Sequence, residues 1–318
     1  MNVLITGITG FVGGHLAEHL AAQEGYALAG FGRNPAWPGD PSTAAALGRL
    51  YSADLADTDS MAHAIGEFRP DWIIHLAGYA NTGKSFKEPA VCWEANLRGT
   101  MNLYEAVLRT GGRPRILFAS TGLVYGDPEP GRHALDESSP LKPASPYATS
   151  KAAADLLSYQ MTRSAGLDIL RVRLFNQIGP RQASDYAVAN FARQIAAIEA
   201  GRQDPVLETG DLSGLRDLTD VRDMVVALRL LLEHGKSGEA YNVGRGEVWK
   251  IADVLAELVS LSNARVEVRS KVEPGRGGDT AVSRADIGKL HALTGWQPKL
   301  DSKQTLTDIL NYWRAVTR

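Results

Sequence analysis

Short, continuous apolar runs alternate with segments of helical periodicity through the first half of the chain. Val3-Leu4-Ile5, Ala27-Leu28-Ala29, residues 72–76 (broken only by His75) and Ile116-Leu117-Phe118 read as strands covered on both faces, as does the aliphatic-rich stretch 169–174 despite Arg171 and Arg173. Between them, residues 12–22, 60–68, 89–109 and 146–165 carry apolar positions at helical spacing. This alternation predicts an α/β fold, a doubly wound parallel sheet with helices on both faces. After Phe175 the rhythm changes: turn-rich stretches at 176–185, 204–216 and 273–280 separate helical pieces at 188–200 and 251–261. The expected division is a dinucleotide-type sheet domain of 1–175 plus 217–243, to which the helix at 221–233 returns. Residues 176–216 plus 244–318 would form a smaller mixed C-terminal lobe for the substrate.

Composition narrows the functional classes. The 318 residues are 44% hydrophobic and 22% charged, enough apolar matter for a substantial core. A formal net charge of −2, with Lys and Arg scattered, argues against nucleic acid or a membrane surface as the main partner. The single cysteine, Cys92, fits a reducing compartment, and no Cys/His grouping has metal-ligand spacing, so no metal is expected. Met1 leads directly into Val3-Leu4-Ile5 without a basic leader, and the longest apolar stretches are too short to span a bilayer. A cytoplasmic protein is the expectation.

Chemistry enters at the end of the first strand. Gly7-Ile8-Thr9-Gly10-Phe11-Val12-Gly13 opens the first helix, where glycines permit a tight turn and the free helix N–H groups face a diphosphate. The spacing has one residue more in the first gap than the usual Rossmann-type fingerprint. The second strand ends Gly30-Phe31-Gly32-Arg33-Asn34, without the acid that would take the ribose hydroxyls of NAD. Arg33 there suits a 2′-phosphate, so NADP(H) is favoured, with NAD(H) possible. Asp54-Leu55 and Leu76-Ala77-Gly78 fall at the next two strand ends, where ligands of open α/β sheets bind. Asp54 reads equally as an adenine contact or a helix cap.

Tyr147 and Lys151, four apart in a segment starting after Pro146, share one helix face. An ammonium beside a phenol lowers the phenol's pKa and makes it a proton donor and acceptor near neutrality. Upstream, Ser120-Thr121 closes the fifth strand, and the Thr121 hydroxyl can bind a substrate oxygen. His75, inside an apolar strand, reads as a packed core residue, and Tyr125 as lining or filling the pocket. Asn96, a poor helix-interior residue, implies a helix irregularity, a water-mediated link to Lys151, or both.

Together, the glycine loop, Ser120-Thr121…Val124-Tyr125-Gly126 and Tyr147…Lys151 resemble the extended short-chain dehydrogenases/reductases. The likeness continues through Asn96-Leu97-Arg98-Gly99-Thr100, Arg173-Leu174-Phe175-Asn176 with Gly179-Pro180, and Arg216-Asp217 with Asp220-Val221. It ends with Arg276-Gly277-Gly278-Asp279 and Gly295-Trp296-Gln297-Pro298. The resemblance implies a sugar-nucleotide substrate, a supporting catalytic role for Asn96, and substrate contacts from Asn176, Arg181, Arg216 and Arg276. It also implies a homodimer formed through the helices carrying Asn96 and Tyr147.

The stretches from Asn176 to Gln182 and from Thr209 to Leu212 resemble the GDP-mannose branch. Its dehydratases place an Asp/Glu pair directly after the active-site Thr; here stand Gly122 and Leu123. The expectation is therefore reduction of a GDP-linked 4-keto-6-deoxy sugar, with an NAD-dependent 4-epimerase as the alternative and a 4,6-dehydratase or a non-catalytic NADP-binding sensor after it.

Overall fold

The computed structural model describes residues 1–33, 47–128, 134–271 and 282–317. Its first half sets out β1 Asn2–Thr6, α1 Phe11–Ala21, β2 Ala27–Gly32, β3 Leu47–Ser52, α2 Thr58–Phe68, β4 Trp72–His75 and the short α3 Thr82–Ser85. Then come α4 Pro89–Trp93, a π-helical segment Glu94–Arg98, α5 Gly99–Thr110, β5 Arg115–Thr121, α6 Pro146–Ser164 and β6 Asp168–Leu174. The remainder comprises β7 Asn176–Ile178, α7 Ala187–Glu199, β8 Val206–Thr209, β9 Leu215–Arg216, β10 Leu218–Asp220, α8 Val221–His234 and β11 Ala240–Val243. It closes with β12 Trp249–Lys250, α9 Ile251–Ser260, β13 Glu267–Ser270, β14 Val282–Ser283, α10 Gly288–Thr294 and α11 Ser302–Thr317.

Seven strands form one sheet in the order β11-β6-β5-β4-β1-β2-β3, every pairing parallel. This is the α/β doubly wound, Rossmann-type arrangement. Successive strand residues point to opposite faces and both faces are covered, which is why the central strands β1, β4 and β5 read as largely apolar runs. Val3, Ile5, Ile74, Leu117 and Leu170 pack on one side with α1 and α8. Leu4, Ile73, Ile116, Phe118 and Ile169 pack on the other with α2, α5 and α6. The order reverses between β1 and β4, and ligands of such sheets bind at the crevice beyond that switch point.

A third cluster joins Phe191 and Ile195 of α7, Leu255 and Leu258 of α9, and Leu306 and Ile309 of α11. The expected division needs one change. Leu290 of α10 and Trp296, assigned to the smaller lobe, pack in the sheet-side core, where the Trp296 indole N–H donates to Asp223 O at 3.2 Å. Among the described residues, no helix is long and apolar enough to cross a membrane.

Candidate functional site

The loop after β1 is built by backbone geometry. Gly7 has φ +72°, and a Cβ there would meet Ala77 N at 2.8 Å. A Cβ on Gly13 would come within 2.2 Å of Gly7 O, so the helix can sit this close to the loop only with glycine. Gly10 caps α1 without a side chain, leaving the first-turn N–H groups directed outward. These residues line a cavity of about 980 Å³ at the carboxyl edge of the sheet.

Thr9, Phe11, Val12, Arg33, Asp54, Leu55, Leu76, Ala77 and Gly78 line the same cavity, as do Thr121, Tyr147 and Lys151. The proposed dinucleotide contacts and the Tyr/Lys pair thus share one space. Asn34 lies outside the described residues. Asp54 accepts from Ala56 N at 2.9 Å in a local turn, and Asp57, not Asp54, caps the following helix through Ser60 N.

The start of α6 positions the pair. Ser145 caps it by accepting from Ala148 N at 3.1 Å and Pro146 occupies its first position, so Tyr147 projects from the first turn. Lys151, one turn on, is 6% exposed, and its Nζ donates to Ala119 O at 2.8 Å over the face of Phe118. Burial pulls Lys151 down to about 8. Tyr147 departs from the expected direction: burial raises its phenol above the ordinary value, opposed by a hydrogen bond from Thr121. The Lys151 ammonium is held by the strand carbonyl of Ala119, and desolvation dominates at the phenol.

Lys151 therefore predicts two opposite pH dependences. Its folded value lies below the ordinary 10.5, so between about 8 and 10.5 the unfolded chain holds the proton and the folded one does not. Stability contributed by this group rises with pH across that window, while turnover that needs the ammonium falls above about 8. Melting curves and pH–rate profiles check both; in Lys151→Met the stability rise disappears.

Asn96 sits in the π segment, 1% exposed. Its Oδ1 accepts from Tyr79 N at 2.8 Å and its Nδ2 donates to Ser150 Oγ at 2.9 Å. Ser150 Oγ donates to Tyr147 O at 2.8 Å. The helix irregularity expected at Asn96 is present, and its reach to the helix carrying Tyr147 runs through Ser150.

A second cavity of about 790 Å³ adjoins the first; Asn81, Asn176, Gln177, Gln182 and Tyr186 line both. Arg216 lines the second and donates to Leu215 O at 3.0 Å. Arg276 lies outside the described residues. Arg181 is a correction. Its guanidinium forks onto Glu18 of α1, with Nη2 to Oε2 at 2.6 Å, and it lines neither cavity. That ion pair staples the 180–181 loop to the back of the glycine-loop helix.

Tyr125 is buried and does not line either cavity; its hydroxyl donates to Asn242 Oδ1 at 2.7 Å. Sequence reasoning did not identify Tyr79, Asn81, Lys84, Gln182 or Tyr186 as cavity residues. Lys84 pairs with Asp185, and Tyr186 donates to Ala80 O at 3.3 Å, joining the segment after β4 to the 183–186 turn. Only the strand end at Leu76 hinted that the following segment borders the site.

Gly122 and Leu123 line the first cavity beside Thr121. A Cβ at Gly122 would approach the buried Phe175 ring to 2.9 Å, so this position has no room for a carboxylic acid in the present packing.

Comparison with known proteins places this geometry. A family model described as GDP-mannose 4,6 dehydratase matches residues 4–309. The chain is 34% identical over 317 residues to a GDP-6-deoxy-D-mannose reductase of Pseudomonas aeruginosa, covering 100% of this chain and 98% of the relative. It is similar to the structure of RMD from Pseudomonas aeruginosa complexed with NADPH, at TM-score 0.86 and 34% identity over 99% of both chains. It is also similar to a Thermus thermophilus UDP-glucose 4-epimerase in complex with NAD, at TM-score 0.86 and 32% identity over 99% of both chains. With the glycine loop, Thr121, Tyr147 and Lys151 gathered around one cavity, the chain belongs to the GDP-mannose 4,6-dehydratase family within the extended short-chain dehydrogenases/reductases, and is an NAD(P)-dependent sugar-nucleotide oxidoreductase.

Proposed function

We propose that the enzyme reduces the C4 ketone of a GDP-linked 4-keto-6-deoxy sugar to a GDP-6-deoxyhexose of the GDP-D-rhamnose type, using NADPH. The observation that carries this reading is the Thr121-Gly122-Leu123 run at the catalytic end of the cavity. Ketone reduction needs a hydride and one proton, which Tyr147 holds; dehydration needs a carboxylic acid and base where Gly122 and Leu123 stand. The likeness to the Pseudomonas aeruginosa reductase over the whole chain supports the same choice.

NADPH supplies the hydride when bound. The residues present suit it: the uncapped α1 N-terminus and the 7–13 loop for the diphosphate, Arg33 for the 2′-phosphate. Tyr147 gives its proton to the oxygen forming at C4. Thr121 donates to the same oxygen, and the Lys151 charge stabilises the phenolate left behind. Asn176 and Arg216, which line the second cavity, would hold the sugar-nucleotide diphosphate, and the family resemblance gives Arg276 the same role.

Mixing enzyme, NADPH and GDP-4-keto-6-deoxy-D-mannose should consume cofactor in step with product. Interconversion of a sugar nucleotide with the cofactor recovered unchanged would instead identify an epimerase. Ranking GDP-, UDP- and dTDP-sugars by the rise in Tm tests the nucleotide. Arg33→Ala should raise KM for NADPH about 10- to 100-fold, the loss of a charged hydrogen-bond pair, and leave that for NADH unchanged.

A homodimer fits the apolar surface that α5 and α6 expose: Met101 and Leu108 on α5, Leu156 and Tyr159 on α6. Sedimentation at the mass of two chains is the expected result, and a monomer that persists at micromolar concentration counts against it.

A further inference from the structure

His75 is 1% exposed and lies midway between two parts of the site that the chemistry must keep in register. Its Nδ1 is 2.8 Å from Thr6 Oγ1 and its Nε2 is 3.0 Å from Thr100 Oγ1. Proton counting settles which atoms donate. Thr100 gives its one hydroxyl proton to Asn96 O at 2.6 Å, so it accepts from His75, and Nε2 carries the proton. Nδ1 is then an acceptor and takes the Thr6 hydroxyl proton. Thr6 Oγ1 in turn accepts from Ala77 N at 3.1 Å. Every donor and acceptor in the chain Ala77, Thr6, His75, Thr100, Asn96 is satisfied in only one direction.

We propose that His75 is a positioning residue: held as a single tautomer, it ties the floor of the glycine loop to the backbone of Asn96 and so sets the placement of Tyr147.

The two ends of the chain carry the argument. Thr6 immediately precedes Gly7, and Ala77 is the residue against which the absent Gly7 side chain would strike. At the other end, Thr100 engages the carbonyl of Asn96 within the π segment, and the Asn96 amide spans Tyr79 N and Ser150 Oγ. Ser150 completes the path at Tyr147 O. A hydroxyl bonded to the carbonyl four residues back also bends a helix, consistent with the irregular winding at Asn96. Burial, with the Lys151 charge nearby, pushes the His75 ring down to about 3, so the tautomer persists across the working pH range. Phe118, the ring beneath the Lys151 ammonium, also packs at 6.0 Å from His75. His75 touches no reacting atom; it acts through Asn96.

The proposal rests on Tyr147 as the proton donor, so its test has one arm that needs no substrate. His75→Asn keeps an acceptor toward Thr6 but cannot reach Thr100, whereas His75→Gln keeps a donor toward Thr100. Thr100→Val removes the hydroxyl at constant shape, and Thr100→Ser restores it. Hydrogen exchange of the full-length protein reports the Tyr79 amide, bonded to Asn96, and the 94–101 segment. His75→Asn and Thr100→Val should lose protection at both places, and His75→Gln and Thr100→Ser should keep it. With the keto-sugar and NADPH, the first two should lose about 10- to 100-fold in kcat with KM for NADPH unchanged.

Folded His75→Asn and Thr100→Val enzymes that keep both protection and kcat overturn the proposal. So does a loss confined to Tm, or an equal loss in the paired Gln and Ser variants, either of which marks a packing role. If wild type turns over no keto-sugar, the reductase reading fails while the exchange arm still decides the role of His75.

Discussion

Tyr147→Phe lowers turnover by about 10²- to 10⁴-fold and leaves NADPH binding intact. The phenol ring sits at the junction of the loop-lined cavity and the helix start, and phenylalanine keeps that volume. What it loses is the hydroxyl, the group expected to give a proton to the forming alkoxide. Burial holds that hydroxyl above its ordinary pKa, so the protonated form needed for reduction prevails at neutral pH. Steady-state kinetics with fluorescence titration of NADPH checks both halves. Retained turnover in the variant would remove Tyr147 from the reaction, and lost cofactor binding would make its role structural.

Asp155→Ala destabilises the fold by roughly 3–5 kcal/mol, with Tm falling by roughly 10 °C. Asp155 is fully buried on α6, four residues after Lys151. It accepts from Arg171 Nη1 at 2.8 Å and from Arg173 Nε at 3.1 Å and Nη2 at 3.2 Å. Burial pushes its carboxyl up, but the two guanidiniums outweigh this and hold it below the ordinary range. Alanine would remove the buried carboxylate that the two guanidiniums share.

The same network reaches the active-site strand end. Arg173 Nη1 donates to Tyr125 Oη at 2.9 Å, and Tyr125 closes the turn that follows Thr121. A fall in kcat should therefore accompany the fall in Tm, measured by denaturant melts and kinetics on the folded fraction. A melting curve matching wild type would show that the pair is dispensable. Because the folded carboxyl is depressed, its stabilising contribution is complete above the unfolded value near 3.8 and is lost as pH falls below that.

How much of the site was readable depended on distance along the chain. The 7–13 loop, the Tyr147/Lys151 spacing and the five apolar strands are local patterns, and each element formed within a few residues of its expected bounds. Asn96 was legible as a misfit, a polar amide inside a helix, and the π segment is the form that misfit takes. Arg181 misled because its role came only from the family resemblance; its partner, Glu18, is 163 residues away along the chain. Arg33 kept its place in the cavity because it ends a strand at the carboxyl edge.

By itself, then, the chain determined its layers, its glycine cradle and the residues able to move a proton. Those follow from side-chain period, backbone freedom and i, i+4 neighbourhood, which act over a turn or a strand. Tertiary structure alone decided the seventh strand, Ala240–Val243, a four-residue run of mixed polarity that is too short to be read from its pattern. It also decided the packing of Trp296 on the sheet side, the Thr6–His75–Thr100 tie and the direction of the Tyr147 pKa. Each of these depends on desolvation or on partners brought together by the fold, and neither is written in the spacing of residues along the chain.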